Sequence, residues 1–255
     1  MDAQNKNSSG VKTTEKSFEL LETVRSLSNP MMSDLVDETG MAKSTIYDHL
    51  QTLKQLGYVV SDGNTYSIGL QFLNHGTYAR NQHTLTGNIK PTLETLAGET
   101  GEIVWAVVEE NGYSYILETK RGEQAISTVD HVGFRTYLHL SSSGKAIMAY
   151  MSKNDVKQII ERRGLPGQTE HTITSEGELF EELEEVRDRG YAYMDEEAIA
   201  GLRSVASPIV VRNKVLGAVS VAGPAKRLRG SRFRDELPNQ VQAAANAIEL
   251  EAAFS

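Results

Sequence analysis

The sequence predicts an α+β chain built as two domains: an N-terminal winged helix-turn-helix, a connecting helix, and a larger sensor-type α+β domain. Three observations carry this reading. Residues 14–69 run helix, short helix, glycine turn, second helix and β-hairpin. Beyond Gly101 the apolar period changes from helical to alternating, with antiparallel hairpins and segregated helices. The charge divides as well: residues 1–84 hold 7 basic and 9 acidic side chains, against 19 and 25 in residues 85–255.

Composition removes whole classes of chemistry. The 255 residues include no cysteine, which excludes disulfides, thiolate zinc sites, iron–sulfur clusters and a cysteine nucleophile. Six histidines, at 49, 75, 83, 131, 139 and 171, show no ligand spacing, so neither metal nor cofactor is expected. No apolar run approaches the ~20 residues that span a bilayer. The opening MDAQNKNSSG is polar without an apolar core, so residues 1–13 read as a disordered tail and the chain as cytoplasmic. The formal charge of -8 argues by itself against nucleic acid, because phosphate-binding proteins usually carry a basic surplus.

The elements follow in order. Residues 14–28 place Phe18, Leu21 and Val24 at helical spacing, with Leu20 and Leu27 widening the stripe, and Asn29-Pro30 stops the helix. A short helix over 32–39 has a poorly signalled start at Met31 or Met32 and a clear stop at Gly40. A longer helix over 43–56 turns Ile46, Leu50 and Leu53 inward and ends at Gly57. Residues 58–60 and 65–68 flank Ser61-Asp62-Gly63-Asn64 as a hairpin, the wing. The stretch 70–84 reads as a connecting helix weakened by Gly76, and Thr86-Gly87-Asn88 with Pro91 marks a boundary, so the second domain spans 85–255. There, strands are expected at 103–108, 113–119, 124–130, 136–140, 191–194, 202–208 and 215–222. Helices are expected at 144–151, 153–163, 176–189 and 235–253.

In a helix-turn-helix the second helix enters the major groove with its N-terminal outward side chains. Those are Lys43, Ser44, Thr45, Tyr47, Asp48 and Gln51. Ser44 and Thr45 suit phosphates at the helix start, Gln51 suits an adenine edge, and Asp48 suits a cytosine amino group. A double-stranded DNA operator is therefore the expected partner.

Other motifs carry less. Ser141-Ser142-Ser143-Gly144-Lys145 ends like a phosphate loop, but His139 and Ala146 stand where a glycine and a hydroxyl are needed, which excludes one. Ser142 with Lys145 also fits Ser-x-x-Lys, and the plain alternative is a serine-rich helix cap. The acidic run 181–185 reads as a solvated helix face, the basic run Lys226, Arg227, Arg229, Arg232, Arg234 as a solvated loop, and Trp105 as core or pocket wall.

The stretch DETGMAKSTIYDHLQTLKQLGYVV, followed by YSIGLQFL, resembles the N-terminal domain of IclR-family transcriptional regulators. VGFRTYLHLSSSGKAIMAYM, HTIT, EVRDRGYAYMDEEAIAGLRSVASPIV and VLGAVSVAGP continue the resemblance over roughly residues 14–252. It implies a C-terminal GAF-like effector-binding domain that takes a small organic molecule, such as an organic or aromatic acid. It also implies a homodimer or dimer of dimers on a palindromic operator. By the same resemblance Ser142 and Ser143 line the effector pocket at a helix N-terminus, where a carboxylate meets unpaired amides. Asp195, Ser204 and Ser220 match further pocket positions; Ser204 stands where cysteine is common, and Ala222 replaces a hydroxyl found in some members. Many members carry arginine where this chain has Asp48, so either that acid faces a base or the helix sits differently. The acidic, cysteine-free composition also resembles that of proteins from salt-loving archaea. The competing readings are a small-molecule enzyme with an accessory helical domain, which lacks a nucleophile–base set here, and a winged helix that binds protein instead of DNA.

Overall fold

The computed structural model describes residues 10–86, 89–127 and 130–254, and divides into two units, Met1–Ala79 and Arg80–Ser255. Most of the expected tail therefore lies outside the described residues, as do Gly87 and Asn88 of the expected boundary.

In the first unit α1 (Lys12–Leu27) already begins inside the stretch read as tail. Leu20, Leu21 and Val24 form its buried stripe, whereas Phe18 is 58% exposed, so the inward face is narrower than the spacing suggested. α2 (Met32–Thr39) is started by a signal the sequence reading passed over: Asp34 reaches back to accept the Met31 amide N–H at 2.8 Å, half of a capping box. Gly40 ends it at φ +64, its N–H donating to the Val36 carbonyl. α3 (Lys43–Gln55) buries Ile46, Leu50 and Leu53 against Leu20, Val24, Leu35 and Val59. β1 (Val59–Asp62) and β2 (Thr65–Ile68) pair antiparallel through a turn of Gly63 and Asn64 alone, so the strands run further into the wing than expected. α4 (Gln71–Asn81) follows, with no buried residue.

The second unit is one six-stranded sheet with helices on both faces. α5 (Ile89–Thr100) leads into β3 (Ile103–Glu110) and β4 (Tyr113–Arg121), joined by Asn111-Gly112 with both residues at positive φ, as this dipeptide in a hairpin predicts. β5 (Arg135–Tyr137) pairs with β4. The strand expected over 124–130 does not form at 124–127, and residues 128–129 lie outside the description. There the chain turns back on itself: Gln124 and Ala125 amides donate to the Gly101 and Gly122 carbonyls, and Arg121 Nη1 takes the Ile126 carbonyl.

α6 (Ser142–Ala149), α7 (Lys153–Arg163) and α8 (Glu176–Arg189) come next, then β6 (Ala192–Asp195), β7 (Leu202–Val211), β8 (Lys214–Pro224) and α9 (Leu237–Phe254). Strand order is β5-β4-β3-β8-β7-β6, antiparallel throughout. α5 and α9 pack on one face through Val104, Ala106, Val205 and Val221; α6, α7 and α8 cover the other through Ile103, Trp105, Ala206 and Ala222. Among the described residues no helix is long and apolar enough to cross a membrane.

Candidate nucleic-acid interface and effector site

On α3 the inward triad Ile46, Leu50 and Leu53 leaves a polar face turned out. Lys43, Ser44, Tyr47 and Asp48 are exposed, and Thr45 and Gln51 are half-buried. His49 turns the other way, its Nδ1 meeting Ser17 Oγ at 2.8 Å, which ties α3 to α1. The start of α3 has no side-chain cap, so its first amides stay open to an anion, where the helix dipole also favours negative charge.

The serine turn lies at the N-terminus of α6. Ser141 caps it by accepting the Gly144 amide, and Ser142 and Ser143 are buried. A Cβ on Gly144 would stand 2.1 Å from the Leu138 carbonyl oxygen, so only glycine allows this approach. Ser142 Oγ meets Ser204 Oγ on β7 at 2.6 Å. Lys145 does not turn toward Ser142: its Nζ donates to both carboxylate oxygens of Glu197, at 2.7 and 2.8 Å. The Ser-x-x-Lys spacing is thus a coincidence of sequence, and Ser142 has a hydroxyl beside it in place of a base.

Register assembles the rest. Trp105 on β3 pairs with Thr119 on β4 and with Ser220 on β8, and Ser220 pairs with Ala206 on β7. Directly paired residues share a face, so Thr119, Trp105 and Ser220 form one row across three strands. Ser204, two residues from Ala206, lies on that same face, the one α6 covers. Thr119 Oγ1, Trp105 Nε1 and Ser220 Oγ are all buried with no hydrogen-bond partner among the described residues. Each such group costs about 1–3 kcal/mol when left unmet, and here three of them fall in one row of the sheet. Sequence reasoning passed over Thr119; its signal is register, which the residue pattern does not contain.

Asp195 is not brought to this cluster. It pairs with Arg203 across β6 and β7, one residue out of phase with Ser204, and so faces the opposite side of the sheet. There its Oδ1 accepts from Arg203 Nε at 2.5 Å, and it borders a charged groove of about 530 Å³ with Lys145, Glu197 and Arg234. The basic run is a solvated loop only in part: Lys226 and Arg229 are exposed as expected, but the other three arginines are engaged. Arg227 grips the buried Glu102 with two bonds of 2.9 and 2.6 Å, Arg232 adds a third, and Arg234 stacks on Tyr193 and Phe233. No metal-holding group of side chains occurs among the described residues.

His139, just before the serine turn, is buried with Nε2 at 3.1 Å from the Pro166 carbonyl. Burial pushes its pKa below the ordinary 6.5; the Pro166 carbonyl opposes this, and the Lys145 charge adds to the lowering. Below 6.5 the unfolded chain takes up a proton that the folded one resists, so stability should be full above that pH and fall as pH drops below it. Melting temperatures from about pH 8 to 5 should show this slope in the wild type and a flatter one in His139→Gln.

An outward polar helix face on a winged domain, carried with a sheet domain holding unmet buried donors, is the make-up of a ligand-responsive DNA-binding protein. Comparison with known proteins agrees. Residues 13–63 match the IclR helix-turn-helix domain, and residues 77–250 match the domain described as Bacterial transcriptional regulator IclR C-terminal. The chain is 34% identical over 237 residues to a Halobacterium salinarum protein named Probable HTH-type transcriptional regulator ArcR, covering 91% of this chain and 90% of that one. It is 28% identical to the Transcriptional repressor IclR of Escherichia coli, covering 88% and 84%. The Thermotoga maritima IclR crystal structure superposes with a TM-score of 0.75 at 26% identity, covering 95% of this chain and 99% of that one. An IclR homolog from Microbacterium hydrocarbonoxydans, complexed with 4-hydroxybenzoate, shares the fold at TM-score 0.77 and 20% identity, covering 95% and 100%. The chain belongs to the IclR family of transcriptional regulators. It is a DNA-binding regulator with a C-terminal effector-binding domain, and not an enzyme.

Proposed function

We propose that α3 reads the operator through Lys43, Ser44, Thr45, Tyr47, Asp48 and Gln51. We also propose that an organic acid binds on the α6 face of the sheet, at Ser142, Ser143, Ser204 and Ser220, with Trp105 and Thr119 completing the site. In this reading residues 14–69 form the DNA-binding part, 70–84 connect, and 85–255 hold the effector. The row of three unpartnered buried polar atoms is the observation that carries the effector half. The fold relative complexed with 4-hydroxybenzoate makes an aromatic acid a reasonable first candidate.

The working unit is a homodimer or dimer of dimers on a palindromic operator. Leu70, Leu73 and Tyr78 on and beside α4 are 82%, 65% and 68% exposed, apolar side chains for a second copy to cover. Effector binding then favours one arrangement of paired recognition helices over another, which needs only about 1–3 kcal/mol of coupling. The -8 charge does not oppose this, since α3 carries Lys43 and Lys54 against Asp48 alone.

Gel-shift titration on the DNA upstream of its own gene tests the assignment. Lys43→Ala is expected to weaken binding to specific and random DNA alike, whereas Gln51→Ala loses about 1–3 kcal/mol on the operator only and relaxes its sequence preference. Equal losses on both DNAs for both variants would count against these roles.

A further inference from the structure

We propose that the C-terminal unit holds a second small-molecule site, apart from the serine turn, that takes a zwitterionic amino acid with an aliphatic side chain. It lies where the two central strands of the sheet part.

β3 and β8 pair from Ile103–Ala222 as far as Val107–Ala218, although β3 runs on to Glu110 and β8 starts back at Lys214. At this divergence lies a cleft of about 510 Å³. Residues 82–85, which follow α4 along the chain, form one wall, and the C-terminal end of α6 with the first turn of α7 forms another. The serine turn opens the same α6 at its other end, so the two sites share no residue. Gly217 fixes the geometry. A Cβ there would stand 2.4 Å from the Val107 carbonyl oxygen and 2.6 Å from Leu85 Cδ1, so only glycine lets the 82–85 wall lie this close. Leu85 is itself buried, which anchors that wall to the sheet.

The lining combines an aliphatic floor with both signs of charge. Leu85, Val108 and Leu216 come from the apolar cluster under α5 and α9, and Ile147, Met151 and Val215 from the one under α6, α7 and α8. Two carboxylates, Glu109 on β3 and Asp155 on α7, face the same cleft as the Lys214 ammonium on β8. Glu109 spends Oε1 on the Gly112 amide and Asp155 spends Oδ2 on the Ser152 hydroxyl, which leaves one oxygen of each for a ligand. Lys214 is exposed and meets no carboxylate among the described residues. His83, also on the lining, stands 3.8 Å from Glu110. Counting His83 as neutral, the cleft carries two negative charges against one positive. A plain anion gains one partner there and meets two repulsions, and a plain amine leaves Lys214 unused. A zwitterion pairs all three, its ammonium toward Glu109 and Asp155 and its carboxylate toward Lys214, with an aliphatic side chain on the apolar floor.

Isothermal titration of the full chain with L-leucine tests this, alongside 4-methylpentanoate, which lacks the ammonium, and isopentylamine, which lacks the carboxylate. Leucine should bind about five- to tenfold more tightly than either, the worth of one charge-assisted hydrogen bond in an open cleft. Lys214→Met should bring leucine down to the affinity of isopentylamine, and Glu109→Gln/Asp155→Asn down to that of 4-methylpentanoate. Lys214 is a surface residue, so Lys214→Met should melt as the wild type does. Bound leucine should also slow amide hydrogen exchange at residues 82–85, which places it in this cleft and not at the serine turn. No binding of leucine, either analogue binding as tightly as leucine, both variants leaving leucine affinity unchanged, or exchange at 82–85 that ignores leucine each overturns the proposal.

Discussion

Replacing Lys145 by methionine is expected to destabilise the C-terminal unit by about 3–5 kcal/mol, the cost of breaking a buried ion pair by removing one partner. The Lys145 side chain is only 2% exposed, and its ammonium sits between both oxygens of Glu197 with Glu182 Oε1 3.5 Å away. Methionine keeps the unbranched apolar stem to within one atom and removes the ammonium with its hydrogen bonds, so most of the loss is electrostatic. Glu182 retains Arg189 at 2.7 Å, whereas Glu197, itself buried, is left without a cation. Glu197 also accepts the Asp195 amide, and its own carbonyl accepts the Thr172 hydroxyl. Urea melts should therefore show a lowered midpoint with much of the loss recovered in Lys145→Met/Glu197→Met, since removing both charges leaves none unpaired. A single variant as stable as the wild type would show that the pair contributes nothing.

Glu102→Gln is expected to cost somewhat less, about 2–3 kcal/mol, because its two arginine partners are each a third exposed and water screens part of the loss. The carboxylate itself has no exposed surface. Arg227 meets it in a two-pronged fork and also donates to the Gln124 carbonyl, while Arg232 bridges it to the Thr100 carbonyl. The fork holds the Arg227 guanidinium above its ordinary pKa. Glutamine keeps the shape but leaves two cations facing a neutral amide. Guanidinium melts compared with Arg227→Met should give losses of similar size, since each breaks the same fork. No change in either would mean that the turn after β8 is held by packing alone.

Local signals were legible where one residue decides a conformation. Gly40 closing α2, Asn111-Gly112 turning β3 into β4, and the triad Ile46, Leu50, Leu53 each state their role within a few positions. The two-residue turn of Arg212 and Asn213, both at positive φ, was not signalled, because no glycine marks it. What stayed hidden depends on register and long-range charge. Asp195 and Ser204 are both pocket candidates by resemblance, yet a single step of alternation puts them on opposite faces of the sheet. Trp105, Thr119 and Ser220 become neighbours only when β3 is placed between β4 and β8. Glu102 gives no hint of its two arginines, which follow 125 and 130 residues later.

The connecting helix has a consequence of its own. Its first turn is anchored, with Phe72 and His75 both packed against Tyr58, but its eleven residues bury no side chain fully. An isolated helix of that length is marginal in water, so its winding is decided by whatever covers it. A segment that gains or loses a turn changes its reach by about 5.4 Å without breaking any core. Within the first unit, the end of the winged domain is thus a short helix held at its start by Tyr58 and open along the rest of its length.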